Sequence, residues 1–221
     1  MTVFFYGDPH GRWDPLLNAA PEFTPADLIV ILGDCELDEP LRVKIAPVMK
    51  TGARVRWIIG NHDVDSEAEY DFLGGDFPDG DLHTRVEMHG SIAVGGLGGT
   101  FKGRIWHPKL GDEKPLYLSR AEYVRSLRHF QRWRKGVPFP QRAAIWQEDF
   151  ELLAKRRLDV VVTHEAPSTH KHGFAGLDQL AARTRARWLI HGHHHRSYDA
   201  ELPGGCRVRG LAKAELWELP E

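Results

Sequence analysis

The stretch Val55-Arg56-Trp57-Ile58-Ile59-Gly60-Asn61-His62-Asp63 decides the fold. A short, mainly apolar run stops abruptly in a glycine and three polar residues. The same event recurs along the chain. Val3–Tyr6 ends in Gly7-Asp8, residues 28–32 end in Gly33-Asp34, Val160–Thr163 ends in His164, and residues 188–190 end in His191-Gly192-His193. Short continuous apolar runs fit strands covered on both faces of a sheet. Helix signals lie between them. Pro40 is placed to open a helix before Leu41. Ser66-Glu67-Ala68-Glu69 and Ser119-Arg120-Ala121-Glu122 both match the capping box. Strands alternating with helices predict an α/β fold, whose ligands bind outside the carboxyl ends of the strands. The polar clusters stand at those ends.

Composition narrows the class. Hydrophobic residues make up 42% and charged residues 27% of 221 residues, which excludes collagen, a disordered tail and a disulfide scaffold. The length predicts a single domain over residues 1–221, with a core large enough to need no staples. A net charge of -2 argues against a general nucleic-acid coat. Two cysteines far apart, Cys35 and Cys206, suit a reducing cytoplasm, the expected location. The opening Met1–Tyr6 run reads as a strand and not as a signal segment. No apolar run approaches the roughly 20 residues of a membrane span. The surplus is histidine, at 13 residues, and histidine is the commonest metal ligand and the acid/base of neutral pH.

Residues 104–157 read as a helical insertion packed on the core. Tyr123, Leu127 and Phe130 are spaced for a helix over about 120–135, and Trp146, Phe150 and Leu153 for another over about 140–157. The stretch from Arg120 to Arg142 is basic. It reads either as a solvated face or as a lid drawing anionic substrate, with Arg125, Arg128 and Arg132 as its contacts.

Five strand-end pieces carry the chemistry: Asp8-Pro9-His10, Gly33-Asp34, Gly60-Asn61-His62-Asp63, Thr163-His164 and Gly192-His193-His194-His195. Each alone is weak; a Gly-Asp after a strand is usually a turn. Together they form a mixed His, Asp and Asn set, which suits hard or borderline ions such as Mn, Fe or Zn. In this order, the blocks D-x-H, G-D, G-N-H-[DE], H and G-H-x-H resemble the calcineurin-like metallophosphoesterase superfamily. The resemblance runs from residue 8 to residue 195. It implies a four-layer α/β/β/α sandwich with two mixed sheets. It also implies two divalent metal ions, Mn first, with Fe, Zn, Ni or Mg as alternatives. Asp8, His10 and His195 would hold one ion; Asn61, His164 and His193 the other; Asp34 would bridge them. A hydroxide shared by the ions would attack the phosphorus of a phosphomonoester or phosphodiester. His62 would protonate the leaving oxygen, with Asp63 orienting its ring.

The second block lacks the Arg-Gly of G-D-x-x-D-R-G, and Ile59 stands where some subfamilies carry a phosphate-binding arginine. A serine/threonine phosphoprotein phosphatase is therefore disfavoured. The partner expected is a small phosphoester or nucleotide. A nuclease is the enzymatic alternative, and a non-catalytic metal-binding scaffold the other. Oligomeric state is not read from the sequence. The run Val94-Gly95-Gly96-Leu97-Gly98-Gly99-Thr100 lacks the Gly-Lys-Ser/Thr ending of a P-loop and reads as a strand and tight turn. His194 receives no role. His191 stays open, and His170 and His172 read as an exposed loop or as substrate contacts.

Overall fold

The two strand-end runs with the most continuous apolar sequence, Leu28–Ile31 and Val160–Thr163, are buried at all four positions, as the centre of a covered sheet requires. They organise the rest. The structure, a computed structural model, describes residues 1–220. In chain order β1 (Val3–Tyr6), α1 (Asp14–Ala19), β2 (Leu28–Ile31), α2 (Leu41–Lys44), α3 (Ala46–Met49) and β3 (Arg54–Trp57) come first. Next are α4 (Glu67–Gly74), β4 (Val86–His89), β5 (Ile92–Leu97), α5 (Arg120–Ser126) and α6 (Gln147–Ala154). The last are β6 (Val160–Thr163), α7 (Ala175–Thr184), β7 (Trp188–His191), β8 (Tyr198–Glu201), β9 (Arg207–Gly210) and β10 (Leu216–Glu218).

One sheet has the order β10-β1-β2-β3, the other β4-β5-β6-β7-β9-β8. Both are mixed. β1, β2 and β3 are parallel with β10 antiparallel at one edge; β5, β6, β7 and β9 are parallel with β4 and β8 antiparallel at the edges. Side chains alternate between faces along each strand, so each sheet offers two apolar surfaces. Phe5, Leu28 and Val30 meet Val94, Val160 and Ile190 between the sheets. On the far face of the first sheet, Ile29, Ile31 and Val55 share a core with Leu16, Leu41 and Val48 from α1, α2 and α3. On the far face of the second, Val161, Leu189 and Val208 pack with Phe150 and Leu153 of α6 and Leu177 and Leu180 of α7. The layers are helix, sheet, sheet, helix, as expected. Among the described residues no helix is long and apolar enough to cross a membrane.

The helix starts follow their caps. Ser66 accepts the Glu69 N–H and Ser119 the Glu122 N–H, each satisfying a donor that the first turn leaves free. Pro40 sits just before α2, as its cap and not as its first residue. The insertion departs from expectation. Instead of two long helices it has the two-turn α5, 3₁₀ turns at His129–Gln131 and Phe139–Gln141, and α6. The reason is burial. No residue of α5 is fully buried: Tyr123 lies half-buried against Trp146, but Phe130 is 78% exposed, so the core does not reach the far end of that apolar spacing. Pro138 and Pro140 cannot supply the N–H groups that would carry a helix on. Trp146, Phe150 and Leu153 do enter the core.

One buried acid ties the insertion down. Asp149 on α6 accepts two bonds of 2.6 Å from the Arg120 guanidinium, and His83 Nε2 stands 3.2 Å away. Burial would raise its pKa, but His83 and Arg120 bring it down to about 2 from 3.8. A depressed carboxylate contributes stability above its unfolded pKa and loses it as pH falls through the folded one. The Asp149→Asn protein is therefore expected to be less stable near neutral pH by about 2 kcal/mol. The gap from wild type should narrow as pH falls from about 4 to 2. Urea midpoints across that range check this; a gap independent of pH would contradict it.

Candidate metal centre

The loops after β1, β2, β3, β6 and β7 converge at one edge of the sandwich. Their backbones are unusual. Asp8, His10, Asp34, His193 and His195 all have positive φ, from 33° to 68°. Such conformations cost on the order of 1–3 kcal/mol each and persist only where the surroundings impose them. Glycine makes the close approach feasible. Gly33 has φ +88°, and a Cβ there would stand 2.3 Å from the Gly60 nitrogen.

Among the described residues, ligand atoms from these loops gather inward in three groups: Glu165, His193 and His194 form one, and two more share Asp34. Of those two, the first comprises His10, Asp34 and His195, the second Asp34, His164 and His193, with the ligand atoms of each within 4.8 Å of one another. Asp34 belongs to both. Asp34 Oδ2 lies 3.6 Å from His10 Nε2 and 3.2 Å from His164 Nε2. Asp8 joins the first cluster, with Oδ2 3.7 Å from His195 Nε2. Asn61 joins the second, with Oδ1 3.1 Å from His164 Nε2. All seven residues expected to hold metal thus meet in one place.

The donor set fits two cations. Both carboxylate oxygens of Asp8, and Oδ2 of Asp34, are buried without a hydrogen-bond partner. A buried carboxylate in that state is costly unless a cation meets it. Protons carry part of this load in the metal-free protein. Burial pushes the Asp8 carboxyl up to about 7. Burial would lower the pKa of His164, but the Asp34 and Asp8 carboxylates raise it to about 10. A divalent ion would replace that proton. Backbone and acid partners fix which ring nitrogen is free for it. His164 Nδ1–H donates to the Leu32 carbonyl at 2.7 Å, and His10 Nδ1–H donates to Glu36, leaving Nε2 of each inward.

His62 stands beside the clusters and outside all three. Its backbone N–H donates to Asp34 Oδ1 at 2.7 Å, and its ring is edge-on to that of His10 with centroids 5.2 Å apart. Burial would lower its pKa, but the bond to Asp65 and the nearby Asp34 raise it. The expected partner is corrected here. His62 Nδ1–H donates to Asp65 Oδ2 at 2.7 Å, not to Asp63. Asp63 is buried and turned the other way, accepting the N–H groups of Asp34, Gly60 and Cys35 at 2.7–2.9 Å. A 3₁₀ turn over His62–Val64 brings the residue three positions on beneath the ring, and turns the next residue inward. Asp63 therefore braces the two ligand loops against each other.

Besides Asp65, two carboxylates have places at the site that the sequence reading did not give them. Glu36 holds His10, and buried Glu165 has Oε1 3.9 Å from His193 Nε2 and 3.7 Å from His194 Nε2. Their only sequence signal is position, two residues after Asp34 and one after His164. His191 resolves as a structural link. Its Nδ1–H donates to the Gly192 carbonyl, and its Nε2 accepts from the Tyr198 hydroxyl, both at 2.8 Å. Burial pushes its pKa down to about 3, so it stays neutral. The His170 ring stacks on that of His194 with centroids 3.8 Å apart, so this loop is not simply exposed. The glycine-rich run is β5 and its turn, with the Gly99 N–H donating to the Ile59 carbonyl at 2.6 Å.

Gly192 gives a direct steric test. A Cβ there would lie 2.2 Å from Asp8 Oδ1. Asp8 is fully buried, so its carboxylate has little room to retreat. The Gly192→Ala protein should fold, with its far-ultraviolet circular dichroism unchanged, and bind about one metal equivalent fewer because Asp8 is displaced. Full metal content by mass spectrometry would contradict this.

Comparison with known proteins agrees with this geometry. The family model for calcineurin-like phosphoesterases matches residues 1–197. An uncharacterized protein of Haemophilus influenzae is 33% identical over 220 residues, covering 96% of this chain and 94% of its own. Among solved structures, TT1561 of Thermus thermophilus superposes with a TM-score of 0.60 at 13% identity, covering 98% of this chain and 97% of that one. A dimetal phosphatase from Danio rerio gives a TM-score of 0.57 at 14% identity, covering 97% and 88%. At these identities the two structures speak for the fold.

Proposed function

The chain belongs to the calcineurin-like phosphoesterase family and is a metal-dependent hydrolase, and from that premise we propose that it cleaves a small phosphoester at a two-metal centre bridged by Asp34. The observation that carries this reading is that Asp34 joins the cluster of His10 and His195 to that of His164 and His193, and keeps one buried oxygen without a hydrogen-bond partner. Asp8, His10 and His195 would hold one ion, and Asn61, His164 and His193 the other. The family implies a binuclear divalent centre; among the metals we propose Mn, which suits nitrogen and oxygen ligands without thiolate. When bound, the ions supply a water acidic enough to ionise near neutral pH and positive charge for the phosphoryl oxygens.

The chain's own residues do the rest. Glu36 and the Leu32 carbonyl hold two ligand rings in their metal-binding tautomers. Asp63 clamps the loops after β2 and β3 together. His62, raised in pKa and held by Asp65, gives its proton to the leaving oxygen.

A small substrate is favoured over nucleic acid because the chain as a whole carries a net charge of -2 and two of the insertion's arginines are spent on internal pairs. Arg120 is tied to Asp149 and Glu148, and Arg134 to Asp71. The two free cysteines fit a reducing, cytoplasmic setting. The test is metal analysis together with turnover of bis-p-nitrophenyl phosphate and p-nitrophenyl phosphate, with and without Mn. Turnover that follows metal loading is expected. Protein carrying two ions and hydrolysing neither compound with any divalent metal would sink the reading.

A further inference from the structure

Beside the metal centre lies a cleft of about 450 Å³ between α4 and the insertion, a size ordinary for a small-molecule site. Its floor includes Ile59 and Gly98. Ile59 precedes Gly60, where a Cβ would stand 2.2 Å from Asp34 Oδ1 and 2.7 Å from His164 Cε1. The cleft and the metal centre therefore share one strip of backbone. One wall is α4, which begins five residues after His62; the other is the insertion.

The charges lining this cleft do not cancel. Arg134 is paired with Asp71 by two bonds of 2.6 Å, and Arg120 with Asp149. Asp81 accepts the His83 N–H; burial raises its pKa while His83 and Arg85 lower it, and among the described residues it forms no ion pair with Arg85 or Arg142. Two guanidiniums are left without a carboxylate partner among the described residues. Arg85 reaches only the carbonyl oxygens of Pro78 and Asp81. Arg142 makes no side-chain hydrogen bond among the described residues, and its Nε is buried with no partner. It is held in place by aromatic rings, 4.8 Å from the Trp133 centroid and 6.0 Å from that of Tyr70. A preorganised, unsatisfied guanidinium is suited to a forked bond with an oxyanion. Trp57, Tyr70 and Leu73 give the same cleft an apolar side. Of the basic residues expected to face substrate, Arg125, Arg128 and Arg132 do not line it; Arg120, Arg134 and Arg142 do.

We propose that this cleft binds a second phosphate, carried on the alcohol part of the substrate, with Arg142 and Arg85 as its receptors. The substrate class is then a small bisphosphate, cleaved at the end that reaches the metals. Two unpaired positive charges match the charge of about -2 on a phosphate monoester. This assignment rests on the hydrolase reading above, so the test separates the two.

The test compares adenosine 3′,5′-bisphosphate with adenosine 5′-monophosphate on the metal-loaded enzyme, with bis-p-nitrophenyl phosphate as the generic substrate. The bisphosphate should show the lower KM. Arg142→Ala should raise its KM about ten- to hundredfold, the loss expected for a charge-assisted bond, with kcat preserved. Arg142→Lys should recover part of that loss. Turnover of bis-p-nitrophenyl phosphate should not change. Equal KM values in wild type and Arg142→Ala, with generic turnover intact, would overturn the proposal and leave the hydrolase standing. If the generic substrate and both nucleotides resist cleavage, calorimetric titration of adenosine 3′,5′-bisphosphate decides the cleft separately. Affinity lost in Arg142→Ala supports it; no binding, or affinity unchanged in the variant, removes it.

Discussion

The Asp34→Asn protein is expected to bind neither metal ion and to lose at least about 10³-fold in turnover. Asparagine keeps the shape of the side chain, so the steric fit of the loop is preserved. What changes is charge at the one position that both clusters share. Asp34 is 1% exposed, and burial alone would raise its pKa; His164 instead holds it well below the usual carboxylate range. Without that carboxylate the two ions have no common anion between them, and their mutual repulsion goes unscreened. A bound metal contributes several kcal/mol to stabilising phosphoryl transfer, and each 1.36 kcal/mol is tenfold in rate, which sets the size of the loss. The variant should stay folded, because asparagine keeps the side chain's volume and its oxygen can still accept the His62 N–H. Metal content by mass spectrometry and hydrolysis of bis-p-nitrophenyl phosphate are the readouts. A variant with two ions and near-normal turnover would show that Asp34 does not bridge.

The reason Asp34 could be singled out from the sequence lies in how this fold terminates its strands. Residues 28–32 must be apolar to lie inside the sandwich, and Asp34 must leave it, so the boundary is written in polarity. The same holds after β1, β3, β6 and β7, and it made the layers and the polar strand-end clusters legible; which of their residues would hold metal came from the resemblance of the blocks. Partners that depend on turn geometry were not legible. Asp63 and Asp65 are equally plausible neighbours of His62 by spacing. Only the 3₁₀ turn, set by the contact of this loop with Asp34, sends one to backbone N–H groups and the other to the ring. Glu36 and Glu165 are hidden in a similar way, since a lone carboxylate near a ligand carries no period. The insertion misled for a different reason. Tyr123, Leu127 and Phe130 have helical spacing, but the core receives Tyr123 and not Phe130, so the helix stops after two turns.

His62 and its two acidic neighbours supply the second large effect, because their roles separate in one set of variants. The His62→Gln protein should retain both metals, since His62 belongs to neither ligand cluster. Its turnover should fall by about 10²–10⁴-fold, the usual contribution of a positioned general acid. Glutamine can still donate a hydrogen bond to a phosphate oxygen but cannot release a proton to the leaving group. The loss should therefore be greatest for esters with basic leaving alcohols and small for p-nitrophenol, which departs readily without a proton. That contrast tests proton donation and not mere contact. The Asp65→Asn protein should resemble a milder His62→Gln, with metals in place, because it weakens only the bond that orients the ring. Asp63→Asn should behave differently. Asp63 accepts three backbone N–H groups from the loops after β2 and β3, and an amide has a single acceptor oxygen for them. It should lower both thermal stability and metal affinity. If Asp65→Asn emptied the centre, or if Asp63→Asn lost only the leaving-group dependence, the assignment of the two acids would have to be exchanged.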